Sequence, residues 1–310
     1  MLTVTLLGTA ATMPLPDRAL SAAVIECAGR SLLLDCGEGT QTAARRAGVN
    51  LMKADAVCLT HGHGDHVFGL PGLLQTLGCQ GRIRPLVVYG PAGMRPLFGP
   101  LLALAGPLPY PVSVRTLCAP VELAELDPAW PAGALLEPVP TRHRVQSQGY
   151  RLTLPRAGRF LPEKALALGV PVREWKRLQS GQSVQTPAGV VAPAQVLGPA
   201  RRGLRVVFSG DTAPCPGLEQ AAQGADLLIC DATYAGPEHT AQARQYGHST
   251  FGQTAALAAR AGCRRLWLTH YSPMIEDPEA EAAFARAEFP AAECGFDGKQ
   301  LTLRFEEEET

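Results

Sequence analysis

The sequence predicts an α/β layered fold, on three observations. Short apolar runs recur along the chain, each closing in a polar or glycine-containing turn. Helical patterns lie between them, and strands mixed with helices argue for layers. The 27 prolines and 32 glycines in 310 residues require many short connections and leave no room for long unbroken helices. Seven runs carry the strand signal: 2–10, 31–39, 56–63, 86–93, 204–212, 225–233 and 265–272. Each is as long as a buried strand and delivers a functional group at its C-terminal end. Among the helical segments, HSTFGQTAALAARAGC opens on Ser249 and Thr250, suited to an N-cap, and closes on Gly262, a C′ glycine. DPEAEAAFARAEF (277–289) has the same character.

Composition narrows the function classes. At 46% hydrophobic content the chain is long enough to bury a large core. No window approaches the roughly 18 consecutive apolar residues of a membrane span. The N-terminal MLTVTLLGTAATM has no basic residue before Arg18, so it reads as a first strand and not as a signal peptide. The nine cysteines are scattered and form no Cys-x-x-Cys pair, which is the expectation for a reduced, cytoplasmic chain.

Net charge is zero, yet it is unevenly spread. Residues 151–205 hold ten basic side chains and two acidic ones, a net of +8, while an acidic tail (EEEE, 306–309) lies at the other extreme. This stretch is rich in proline, glycine and arginine, with short helical pieces at PEKALALG and REWKRLQSG. It has few apolar residues for a core of its own and reads as an arm projecting from the body. Charge alone fits a solvated surface insertion or a segment that meets a polyanion.

The chemistry concentrates in CLTHGHGDHVFGLPG (58–72). Three of the seven histidines, His61, His63 and His66, fall with Asp65 in six positions. His61 and His63, two apart at a strand end, can face one metal. Asp65 and His66, where the chain enters a helix, are displaced enough to serve a second. Imidazole and carboxylate without thiolate suit an open, catalytic zinc site better than a structural one. Four residues cannot satisfy two ions, so more ligands are needed. His143 follows a strand, Asp211 ends the strand VVFSGD, and His270 ends LWLTH, an echo of CLTH at 58–61. That echo has meaning if two halves of a sandwich bring two strand ends to one centre.

LLGTAATMP, LLLDCGEGTQ, LTHGHGDHVFGLPGLL, VVYGPAG, YPVSV, HRVQSQGYRL, FSGDT, DATY, GHSTFGQTAALA and LTHYSP together resemble the ribonuclease Z family of the metallo-β-lactamase fold superfamily, across nearly the whole chain. The histidine motif is shared by many hydrolases; FGLPGLL and GHST are more specific. The resemblance implies a four-layer αβ/βα sandwich over residues 1–310, with the arm at 151–205 inserted. It implies two Zn2+ ions per subunit, one held by His61, His63 and His143 and one by Asp65, His66 and His270, with Asp211 bridging. Asp65 would also accept the proton of the attacking water. His248 would protonate the departing ribose oxygen, and Asp231 would orient it. The substrate implied is precursor tRNA, cut to leave a 3′-OH on the tRNA and a 5′-phosphate on the trailer. The arm, through residues such as Arg173, Lys176 and Arg177, would grip the tRNA elbow, often across a homodimer.

Three positions depart from the family pattern. The arm tip GVPVREWKR lacks a glycine-proline pair, Asp231 replaces a glutamate, and Met274 stands where an arginine would contact phosphate. All seven metal-binding positions are intact. These departures keep a second reading open, a phosphodiesterase of the same fold acting on small phosphodiesters.

Overall fold

All seven apolar runs form strands. The computed structural model describes residues 1–306, so the rest of the acidic tail, 307–309, lies outside the described residues. Leu2–Gly8, Arg30–Leu34, Ala54–Cys58 and Leu86–Gly90 enter one seven-stranded sheet, completed by Ala22–Cys27, Val112–Thr116 and Gln300–Leu303. Arg201–Phe208, Leu227–Asp231 and Leu266–Thr269 enter a second, with Val121–Glu122, Leu135–Pro140, Gln148–Arg156 and Ala292–Cys294.

Side-chain alternation explains why both sheets need two covers. Along Arg30–Leu34, Leu32 and Leu34 join the core between the sheets, while Leu33 joins an outer core under helices Thr40–Arg46, Leu70–Cys79 and Arg95–Ala105. In the second sheet, Leu227 and Ile229 face the first sheet. Leu228 and Cys230 face outward under Pro216–Ala222, Phe251–Arg260 and Ala283–Arg286. The result is the four-layer αβ/βα sandwich.

Strand direction then places the chemistry. Arg30–Leu34, Ala54–Cys58 and Leu86–Gly90 are mutually parallel, as are Arg201–Phe208, Leu227–Asp231 and Leu266–Thr269. Their C-terminal ends carry Asp35, His61, Asp211, Asp231 and His270. Tyr271 N donates to Thr9 O at 2.8 Å, closing the two halves against each other at this edge.

The arm differs from its expected form in three ways. Residues 151–156 and 201–205 are strand, so the segment outside the sheet is 157–200. Its five basic and two acidic residues give +3, because Arg151, Arg156, Arg201, Arg202 and Arg205 lie on the strands; of these, Arg151 and Arg202 pair with body carboxylates, Glu137 and Asp226, at 2.7 Å each. The arm also has its own small core: Ala165, Val170, Leu178, Val184, Val191 and Val196, with Phe160 and Trp175 against it. Helix Pro162–Ala167, helix Trp175–Gln179 and the hairpin Val184–Thr186/Gly189–Val191 converge on these few side chains. The helix expected over 277–289 is shortened to Ala283–Arg286: Asp277 accepts from Glu279 N at 2.9 Å and folds 277–282 into turns. Among the described residues no helix is long and apolar enough to cross a membrane.

Candidate metal centre

His61, His63, Asp65 and His66 sit where strand Ala54–Cys58 turns into the short helix Gly64–Val67. The glycines between them leave room for exposed neighbours: a methyl at Gly62 would meet the end of the Leu97 side chain, and one at Gly64 the Phe68 ring, so either side chain would have to shift. Gly210, before Asp211, combines φ +60 with Thr60 Cβ only 2.6 Å from where its own Cβ would stand. His270 itself has φ 63, a conformation that costs a β-carbon residue about 1–2 kcal/mol. Such strain persists where surrounding structure holds it.

The side chains form two groups about one carboxylate. His61 Nε2 and His143 Nε2 lie 2.9 and 3.2 Å from His63 Nδ1, and 3.5 and 3.9 Å from Asp211 Oδ2. Asp211 Oδ1 lies 3.2 Å from both His66 Nε2 and His270 Nε2, and Asp65 Oδ2 lies 3.4 Å from His270 Nε2 and 3.7 Å from His66 Nε2. Four tetrahedral donors around a zinc ion stand about 3.3–3.6 Å apart. Both groups fall near that spacing.

The outward nitrogens of four of the five histidines are engaged, which turns their other ring nitrogens toward the centre. His66 Nδ1 donates to Asp35 Oδ2 at 2.7 Å, His143 Nδ1 to Gly247 O at 2.9 Å, His61 Nδ1 to Thr60 Oγ1 at 3.0 Å and His270 Nδ1 to Thr233 Oγ1 at 3.0 Å. This is how proteins orient metal-binding imidazoles. Burial lowers the pKa of His61, His63 and His143, keeping them neutral and able to donate. His66 is opposed by the same burial, but Asp211 and Asp35 on either side raise it well above the usual range. Burial disfavours the Asp211 charge, yet His270, His66 and His61 hold it well below the usual carboxylate range. Asp211 Oδ1 is fully buried with no hydrogen-bond partner, an orphan that a cation would satisfy. The donor set fits divalent metal.

Asp35 is the functional residue that sequence reading passed over. It is fully buried and also accepts from Thr60 N and Thr60 Oγ1 at 2.7 and 2.9 Å, so one carboxylate supports both His61 and His66. Its signal was the aspartate closing LLLDCGEG, a strand parallel to the one that delivers His61.

Beside the centre, His248 lines a cavity of about 740 Å³ together with His63, Asp65, Phe68, His143 and Arg144. His248 stacks on His270 with centroids 5.3 Å apart, and its Nδ1 donates to Asp231 Oδ2 at 2.7 Å. Burial works against protonation, but the Asp231 carboxylate outweighs it and takes the imidazole up to about 9. The shorter Asp231 side chain therefore still reaches its histidine, while accepting from Thr212 N and Thr233 N at 3.0 Å each. Asp65 is held by Thr12 N at 2.8 Å. Arg173, Lys176 and Arg177 are exposed on the arm, Arg177 pairing with Glu174 at 3.1 Å. The eight-residue strand Arg201–Phe208, roughly 25 Å long, separates the arm's foot from Asp211. The arm residues are not part of the cavity.

Comparison with known proteins agrees with this geometry. Residues 30–271 match the beta-lactamase superfamily domain. Ribonuclease Z of Lachnoclostridium phytofermentans is 40% identical over 309 residues, spanning 100% of both chains. Ribonuclease Z of Salinibacter ruber is 43% identical over 98% of this chain and 95% of that protein. The crystal structure of human tRNase Z, short form, superposes with a TM-score of 0.65 at 25% identity, covering 98% of this chain and 100% of that one. With full-length identity of this order and both donor groups in place, the chain belongs to the ribonuclease Z family of the beta-lactamase superfamily.

Proposed function

We infer that the chain is a zinc-dependent endoribonuclease that removes the 3′ trailer from precursor tRNA, leaving a 3′-OH on the tRNA and a 5′-phosphate on the trailer. One observation carries the reading: the Asp211 carboxylate turns one oxygen toward each of two donor groups, in a chain akin to ribonuclease Z along its whole length. Two Zn2+ ions, one with His61, His63 and His143, the other with Asp65, His66 and His270, and both with Asp211, would supply Lewis acidity for phosphodiester hydrolysis by water.

The chain's own residues do the rest. Asp65, fixed by the Thr12 N–H, accepts the proton of the attacking water. His248, kept protonated by Asp231, gives its Nε2 proton to the departing ribose 3′-oxygen. With water as nucleophile the 2′-hydroxyl takes no part, so no cyclic phosphate forms. The arm, carrying Arg173, Lys176 and Arg177 on an exposed surface, meets the tRNA away from the cut. A homodimer in which each arm serves the other subunit, and a cytoplasmic location, belong to the same reading. The nine unpaired cysteines support the latter.

The test is a precursor with a 3′ trailer, incubated with metal-loaded wild type and with Arg173→Ala/Lys176→Ala/Arg177→Ala. The reading expects one cut in the trailer junction, weakened in the arm variant through KM. Bis(p-nitrophenyl) phosphate, too small to span from centre to arm, reports whether the centre is intact. Hydrolysis of that diester with the RNA left whole would favour the small-phosphodiester reading instead.

A further inference from the structure

The cavity over the metal centre is poor in fixed positive charge. Its carboxylates are Glu38, Asp65 and Asp211, and its only lysine or arginine among the described residues is Arg144. Met274, where the resemblance would put an arginine, is 75% exposed and lines a neighbouring groove with Tyr234, Glu238 and Asp277. A polyanionic strand entering this cavity therefore meets one guanidinium.

Arg144 is placed for that encounter. It follows His143 directly, so its backbone is tied to the centre. His143 Nδ1 donates to Gly247 O at 2.9 Å, and a methyl at Gly247 would stand only 3.1 Å from Arg144 N, so segment 246–248 packs closely on 143–144. The guanidinium rests over the Tyr246 ring, 5.5 Å from its centroid. A ring under the guanidinium limits its motion without using its N–H donors, and no carboxylate takes them among the described residues. An exposed, planar, five-donor cation held beside a hydrolytic centre matches the bidentate geometry of a phosphate.

We propose that Arg144 grips an RNA backbone phosphate next to the scissile one, positioning the single-stranded 3′ end across the metal centre. The proposal rests on the nuclease reading above. It gives Arg144 the role that the residue at 274 cannot fill, from a different strand end.

Binding of a precursor tRNA with a short trailer to wild type, Arg144→Gln and Arg144→Lys is measured between about 50 and 200 mM salt, with cleavage rates and zinc content followed alongside. Loss of one phosphate contact lowers the slope of log affinity against log salt by about one. Arg144→Gln is expected to show that decrease and a roughly ten- to hundredfold fall in kcat/KM, whatever the trailer sequence, with zinc retained. Arg144→Lys keeps the slope and recovers part of the rate. If wild type cleaves the precursor but the Arg144→Gln slope and rate are unchanged, the proposal is wrong and the nuclease reading stands. If Arg144→Gln loses rate only by losing zinc, Arg144 supports the metal site and the phosphate role is wrong. If wild type leaves the precursor whole, the nuclease reading falls and this proposal with it.

Discussion

His248 Nδ1 donates to Asp231 Oδ2 at 2.7 Å, and the ring lies in a stack on His270, a member of the metal centre. The imidazole proposed to protonate the leaving group and a proposed metal-binding histidine are thereby fixed in one frame. Asp231 ends strand Leu227–Asp231 and Thr269 pairs with it, so His270 follows the neighbouring strand directly.

This pairing sets a pH dependence. The folded-state pKa of His248 is raised, so the ring stays protonated through neutral pH and loses its proton only as pH climbs toward about 9. The alkaline limb of kcat should lie above the range of an ordinary histidine. Asp231→Asn removes the charge that outweighs burial, so the limb should move down by at least about one unit. A pH–rate profile of both proteins measures it; an unmoved limb would mean that another group titrates.

Replacing His248 with alanine should separate two substrates. A ribose oxygen leaves badly without a proton, so precursor cleavage should fall by about 10²–10⁴-fold. Nitrophenolate leaves without one, so bis(p-nitrophenyl) phosphate hydrolysis should survive within about tenfold of wild type. Equal losses on both would place His248 in metal binding.

Asp35→Asn should weaken metal binding about 10–100-fold while leaving every ligand in place. The carboxylate bonded to His66 at 2.7 Å and to Thr60 would lose its charge. Zinc retained against a graded chelator gives the number.

Gly210→Ala should destabilise the fold by about 2–4 kcal/mol, because the added methyl meets Thr60 and the backbone has φ +60. Urea unfolding of the metal-free protein checks it apart from any loss of metal.

In the arm, Leu178→Ala should cost about 2–3 kcal/mol of local stability, since Leu178 is fully buried in a core of six residues. Hydrogen exchange should speed up across 157–200 and leave the two sheets protected, as expected for a unit that opens alone.

Of the candidate donors, Asp211 and His270 were legible because each closes an apolar run, where a polar residue has no packing reason to be, and His61, His63, Asp65 and His66 because they crowd into six positions. Strand order in the sandwich then brought 61–66, 143, 211 and 270 to one edge, as the two Thr-His strand ends had suggested. Asp35 closes such a run as well, but an isolated aspartate does not reveal that its strand runs parallel to Ala54–Cys58 with His66 in reach. The arm's core was illegible for another reason. Ala165, Val170, Leu178, Val184, Val191 and Val196 follow neither a helical nor a strand period, because they come from three short helices, a hairpin and the loop at Val170. The strand ends at 151–156 and 201–205 were equally hidden, and they carry five arginines, so the arm's charge was read too high.

The central claim is hydrolysis of RNA by water at a centre shared through Asp211. Mapping both new ends of a cleaved precursor, with 18O-labelled water as solvent, tests it most directly. The account predicts a single cut, a 3′-OH on the tRNA, and 18O in the 5′-phosphate of the trailer. A 2′,3′-cyclic phosphate, or a trailer phosphate free of label, would contradict it.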